Sequence, residues 1–160
     1  TDEAIGSTTS YLQTKIWMRW IRSFGKGNRL LMRLDAGVTT SKDFSQLPPS
    51  VRFFAGGDQS VRGFDYNSLG PTDTSGDVIG GTNLLVASVE YERHLSGNFY
   101  GAAFVDAGNA FDDTDFDPET GAGLGLKWRS PLGPVRIYLG YPVTGDDKKV
   151  RVHLRLGADL

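Results

Sequence analysis

Hydrophobic and polar residues alternate one by one through most of this chain, and a period of two predicts β-strands. Between Tyr11 and Phe24, Leu12, Ile16, Met18 and Trp20 share one parity and Gln13, Lys15 and Arg19 the other. Arg29 to Thr39 repeats the pattern: Leu30, Met32, Leu34, Ala36 and Val38 oppose Arg29, Arg33 and Asp35, and only Leu31 is out of place. From Asn83 to Arg93, Leu85, Ala87, Val89 and Tyr91 oppose Ser88, Glu90 and Glu92. Tyr100 to Phe111 sets Ala103, Val105 and Ala107 against Phe104, Asp106 and Gly108. In the fifth segment Ala122, Leu124, Leu126 and Trp128 alternate with Gly121, Gly123, Gly125, Lys127 and Arg129, so glycine on the polar face leaves room for something to lie against the wall. Val135, Ile137, Leu139 and Tyr141 oppose Arg136 and Tyr138, and finally Val150, Val152, Leu154 and Leu156 oppose Arg151, His153 and Arg155.

Seven strands result, joined by connections of two kinds. GKGN near Lys26, HLSGN near Ser96 and SPLGP near Leu132 supply Gly, Pro or Asn for tight reversals after the first, third and fifth strands. Thr40 to Gly80, Asp112 to Pro118 and the Gly145 to Lys148 turn are longer or more polar, which places the longer links together at one end of the sheet. Outer-membrane barrels have this asymmetry, with apolar-out, polar-in strands and aromatic girdles that Trp20, Tyr91, Trp128 and Tyr141 would suit. A soluble β-sandwich binding module predicts the same alternation, with its apolar stripe in a protein core. Patterning alone leaves both open.

Composition narrows the class. The chain has 160 residues, one domain's worth, with no Ser/Pro linker dividing it. A net charge of -2 gives no electrostatic case for nucleic acid. The absence of cysteine removes disulfides and thiolate metal sites. No apolar run reaches the ~20 residues of a membrane helix, which leaves a membrane β-barrel possible. TDEAIGSTTS at the start has neither the basic opening nor the apolar core of a signal peptide.

The densest signal is RFFAGGDQSVRGFDYNSLGP, Arg52 to Pro71, where Arg62 stands alone between Val61 and Gly63-Phe64 in a glycine-rich loop. Glu90 and Asp106, at inward-looking positions of the third and fourth strands, are two carboxylates able to receive one guanidinium. This loop, then VASVEYE, FVDAGNAF and GAGLGLKWRSPLGPVRIYLGYPV, in that order, resembles the carboxy-terminal barrel of the bacterial surface antigen superfamily, which includes BamA, TamA and two-partner secretion transporters. VRGF marks the superfamily, whereas RFFAGGD, the WRSPLGP turn and the GADL ending are most similar to the TamA branch.

The resemblance implies an all-β, antiparallel transmembrane barrel of sixteen strands, of which residues 1–160 match about the last seven, with a long loop, roughly residues 40–80, folded into the lumen. It further implies that periplasmic POTRA domains and the opening strands belong to a longer protein, of which this chain is a fragment. Arg62 is then expected to bond Asp106, with Glu90 as second acceptor. Gly63 permits close approach to the wall, Phe64 packs beside Phe104, and Gly56-Gly57 reverse the chain. Val150, Val152, Leu154 and Leu156 belong to the last strand, Val150 to Leu160, which would form a weak seam, or lateral gate, with the first.

The implied function is assembly and insertion of outer-membrane proteins, autotransporters in particular, in the Gram-negative outer membrane, without enzymatic chemistry or cofactor. The implied partners are outer-membrane lipid, nascent β-barrel substrates and, through the POTRA domains, the periplasm-spanning TamB. A BamA-like general insertase and a two-partner secretion transporter are the neighbouring readings. Other constellations carry less. His94 and His153 have no triad or metal spacing around them, and in DDTDFDPE Pro118 stands where an EF-hand needs glycine, so no metal is expected. The glycines of GAGLG lack the Lys-Ser/Thr of a phosphate loop.

Overall fold

The computed structural model describes residues 11–41 and 47–157. Its strands are β1 (Tyr11–Phe24), β2 (Asn28–Ser41), β3 (Asn83–Ser96), β4 (Phe99–Phe111), β5 (Glu119–Ser130), β6 (Gly133–Pro142) and β7 (Arg151–Leu156). They form one sheet in chain order, each strand antiparallel to its neighbours. β1 and β7 are the two edges and do not pair with each other, so the sheet is an open section of wall. The described residues contain no second sheet to cover its apolar face, which removes the sandwich reading.

The tight turns lie where Gly, Pro and Asn cluster. Phe24 pairs with Asn28 across Gly25 and Gly27, both at positive φ, while Ser96 pairs with Phe99 and Ser130 with Gly133. All three reversals share one end of the sheet, and the long connections share the other.

The two faces meet different surroundings. On the outward parity Leu124 is 66% exposed, Leu139 52% and Val152 68%, in a continuous apolar surface with Leu85, Val89, Val105 and Ile137. In water such an area is an aggregation hazard, whereas against lipid it is stabilising. Near the tight turns, Phe24 with Tyr91 and Phe99 with Trp128 form ring pairs 6.2 and 6.4 Å apart, as an interfacial girdle requires. Tyr141 lies at the opposite end of the wall, next to Pro142 where β6 ends.

The inward face is covered by the connection between β2 and β3. Isolated bridges Phe53 to Gly81, Ala55 to Leu69 and Thr72 to Val78 fold that loop onto itself. Ala55, Val61, Phe64 and Leu69 then make a small apolar core with Val86 of β3. Further ties run from β1, where Gln13 donates to the Val51 carbonyl at 2.7 Å and Lys15 sits over the Phe53 ring.

Two expectations need correction. Trp17 and Ile21 share the inward parity of Gln13 and Lys15, so β1 is less cleanly two-sided than its other residues imply; Trp17 is 69% exposed on that face. The last strand begins at Arg151, leaving Val150 in the preceding connection, because only Arg151 to Leu156 find partners on β6. Its expected continuation through residues 158–160 lies outside the described residues, as do residues 42–46 of the loop.

The exposed outward face yields a direct expectation. Placing arginine at Leu124 in the full-length barrel should lower its stability in a bilayer by about 2–4 kcal/mol, the depth-dependent cost of a charge facing lipid. Denaturant titration in lipid vesicles measures this, and an unchanged midpoint would show that Leu124 does not face the membrane.

Candidate functional site

Arg62 is brought to the wall by a local sequence that can bend sharply. Gly56, Gly57 and Gly63 have φ of +96°, +101° and +101°, a region costly for residues with a Cβ. At Gly56 a side chain would strike the Asp65 carbonyl, and at Gly63 it would come within 2.9 Å of the Tyr141 backbone. The loop tip therefore rests on bare main chain.

The guanidinium is 3% exposed and every face of it is occupied. Nε donates to Asp106 Oδ2 at 2.7 Å and Nη2 to Asp106 Oδ1 at 2.8 Å, a two-pronged grip on one carboxylate. Nη1 donates to Glu90 Oε2 at 2.5 Å, and the Arg62 backbone N–H adds a 3.0 Å bond to Asp106 Oδ2. Ser88 Oγ accepts from Nη2 at 3.2 Å and donates its own O–H to Asp106 Oδ1 at 2.5 Å. The second oxygen of Glu90 accepts from the Tyr138 hydroxyl at 2.9 Å. The plane of Arg62 lies 3.6 Å over the Phe104 ring and 4.6 Å from that of Tyr138, and those rings meet edge to face. Burial opposes the charge of Arg62, but its hydrogen bonds and attraction to Asp106, with Glu90, outweigh that and raise the guanidinium pKa above its ordinary value.

The wall is shaped to accept this tip. A Cβ on Gly121 would collide with the Arg62 carbonyl oxygen, one on Gly123 would meet the Phe104 ring at 2.7 Å, and one on Gly125 would strike the Tyr138 ring. The glycine face of β5 is thus filled by backbone and aromatic groups from elsewhere.

Of the residues named from sequence, Arg62, Glu90, Asp106 and Phe104 come together, and Gly63 lies against β6. Phe64 does not join Phe104. It packs in the loop's own core with Val61 and Leu69, while Phe104 belongs to a separate cluster with Ala102 and Tyr138, because the arginine occupies the ring face expected for Phe64. Ser88 and Tyr138 were missed as partners, although each shares the inward parity of Glu90 or Arg136.

Three further groups of contacts went unread. Arg33 Nη1 donates to the Gln59 carbonyl at 2.5 Å and Nη2 to the Ser60 carbonyl, just ahead of the tip. Glu92, fully buried, is gripped by Lys127 at 3.1 Å and Arg29 at 3.0 Å nearer the tight turns. On β7, His153 Nε2 accepts the Gly63 N–H at 3.1 Å and Arg151 donates to the Gly63 carbonyl at 2.8 Å. The inward parity of Arg151 and His153 was the available signal. Among the described residues no cluster of His, Asp and Glu is suited to a metal.

An apolar outer surface, a polar inner one and a loop bonded to the inside define a section of outer-membrane barrel wall with its plug. The chain belongs to the Omp85 superfamily: the model of the Omp85 superfamily domain matches residues 1–159. Proteins of this superfamily are insertases and transporters rather than enzymes, and the setting of such a barrel is the outer membrane.

Among curated relatives, the chain is 26% identical over 147 residues to the outer membrane protein assembly factor BamA of Nitratidesulfovibrio vulgaris, covering 87% of this chain and 19% of that protein. It is 24% identical to a SAM50-like protein of Schizosaccharomyces pombe, covering 94% of this chain and 36% of the relative. The crystal structure of Haemophilus ducreyi BamA lacking POTRA domains 1–3 shares its fold with a TM-score of 0.72 at 22% identity, over 90% of this chain and 34% of that one. The chain thus spans well under half the length of each of these proteins.

Replacing Arg62 with alanine leaves Asp106 and Glu90 buried without their cation, a loss worth about 3–5 kcal/mol. In the membrane-embedded full-length barrel, Arg62→Ala and Gly121→Leu should each make residues 56–66 cleavable by added protease. Resistance equal to that of the parent in both variants would mean the loop is held by other contacts.

Proposed function

We propose that this chain is the carboxy-terminal wall of a barrel that assembles and inserts outer-membrane proteins, in the manner of the TamA branch and with autotransporters among its clients. The observation that carries this reading is the combination of an Omp85 superfamily domain with a plug bonded both to the inner wall and to the last strand.

The chemistry is hydrogen-bond exchange, with no covalent step. An edge strand presents a row of N–H and C=O groups that an incoming extended segment can satisfy by β-augmentation. A membrane thinned beside the last strand would lower the cost of inserting a new strand there. The polar inner face and the plug keep water and lipid apart while this exchange proceeds. TamB would meet such a protein through POTRA domains outside this chain.

The relatives named for BamA and SAM50 favour a general insertase equally well, and the TamA-like stretches RFFAGGD and WRSPLGP are what incline the reading towards autotransporters. A photo-crosslinking residue at Val152 of the full-length protein tests the proposal in growing cells. Capture of nascent outer-membrane barrels is expected, with autotransporters over-represented if the TamA reading holds. Capture of barrels without that bias would point to a general insertase, and capture of a soluble secreted polypeptide alone would overturn insertion in favour of secretion through the lumen.

A further inference from the structure

Among the described residues the last strand has the fewest register pairs of any strand in the sheet. β6 and β7 share six register pairs, from Val135 opposite Leu156 to Gly140 opposite Arg151, and the far edge of β7 has no partner among the described residues. Its inward side chains make up the difference by reaching the plug.

The Gly63 backbone is held on both sides by β7: its N–H donates to His153 Nε2 and its carbonyl accepts from Arg151 Nη1. Beneath it lies the bare backbone of β6, where a Cβ on Gly140 would stand 2.7 Å from the Gly63 nitrogen. Arg151 also grips the loop residue Asp65 with two parallel bonds, Nε to Oδ1 at 2.7 Å and Nη2 to Oδ2 at 2.8 Å, and reaches Asp147 in the preceding turn at 2.9 Å. Hydrogen bonds from Arg151 hold the Asp65 carboxyl below the ordinary carboxylate range. Asp65 is largely exposed, so that ion pair alone is worth little. Its two-pronged geometry and the two bonds to the Gly63 backbone act on one short stretch of chain, adjacent to Arg62, which is itself locked to β3 and β4.

We propose that Arg151 and His153 are positioning residues that latch the last strand to the tip of the plug, so that the seating of the plug sets the register and closure of the edge at which a client strand would pair. The client half of this statement rests on the insertase reading; the latch does not. Coupling of this kind is reciprocal: whatever pairs with the open edge of β7 and displaces its inward side chains also weakens the hold on Gly63. The partner it fits is an extended β-strand of another outer-membrane barrel, engaging main chain at the edge rather than any side-chain pocket.

Backbone amide hydrogen exchange on the full-length protein in phosphatidylcholine vesicles tests the latch. His153→Phe removes the acceptor and Asp65→Asn weakens the grip from the loop side. His153→Phe should speed exchange of the β7 amides about tenfold, the scale of one buried hydrogen bond, and Asp65→Asn by about two- to threefold, the scale of an exposed ion pair, while β5 stays protected. His153→Gln, which retains an acceptor, should restore protection to within about twofold of the parent. β7 exchange unchanged in both weakening variants would overturn the latch, as would equal acceleration of β5 and β7, which marks general destabilisation. Asp65→Asn keeps the test decisive if His153→Phe fails to fold, since Asp65 lies outside the sheet. Should the latch hold while a crosslinker at Val152 captures no nascent barrel, the insertase reading fails and the latch stands.

Discussion

A buried guanidinium is the constraint on which the rest of this structure depends. Arg62 cannot be neutralised, so its removal from water is tolerated only where its nitrogens have acceptors and the charge has a counterion. Those acceptors come from two adjacent strands, Glu90 and Ser88 on β3 and Asp106 on β4. The positions work because β3 and β4 hold Ser88 directly opposite Asp106 and Glu90 opposite Phe104. A one-residue slip of either strand would turn its own members of this set to the lipid side and leave the others unpaired. The network thus specifies the register of the central wall as firmly as the wall positions the loop.

The same constraint explains the glycines. A flat cation sandwiched by Phe104 and supported by Tyr138 needs the neighbouring strand to withdraw, and β5 withdraws by carrying no side chain at three successive inward positions, Gly121, Gly123 and Gly125. Further towards the tight turns, where the loop no longer reaches, the inward face fills again with Lys127 and its partner Glu92.

Much of this was legible in the sequence because the signals were local. Period-two alternation located seven strands, and three turn-rich segments placed the tight reversals. Glycine on the polar parity of β5 announced that something would lie against it. Arg62, Glu90 and Asp106 could be grouped because a single arginine in a glycine-rich loop faced two carboxylates at inward parity. What sequence did not carry was the choice among equivalent neighbours. Phe64 and Phe104 are both aromatic and near the tip, but which one receives the guanidinium depends on the path of the loop in three dimensions. The bonds of Arg151 and His153 to Gly63 join residues about ninety positions apart in sequence, a separation across which alternation says nothing. Trp17 and Ile21 break the pattern of β1 by placing large apolar groups on the inner face.

The bare inner surface of β5 has one more consequence. Gly121 to Gly125 spans about 13 Å of strand with no side chain projecting inward. While the plug is seated, that stripe is filled by the Arg62 carbonyl and two aromatic rings. Were the plug to lift away, the stripe would become a smooth trough of peptide groups running along the wall, offering water and small ions the path of least steric resistance. The fit of the plug and the shape of the wall are therefore tied together by the absence of three side chains.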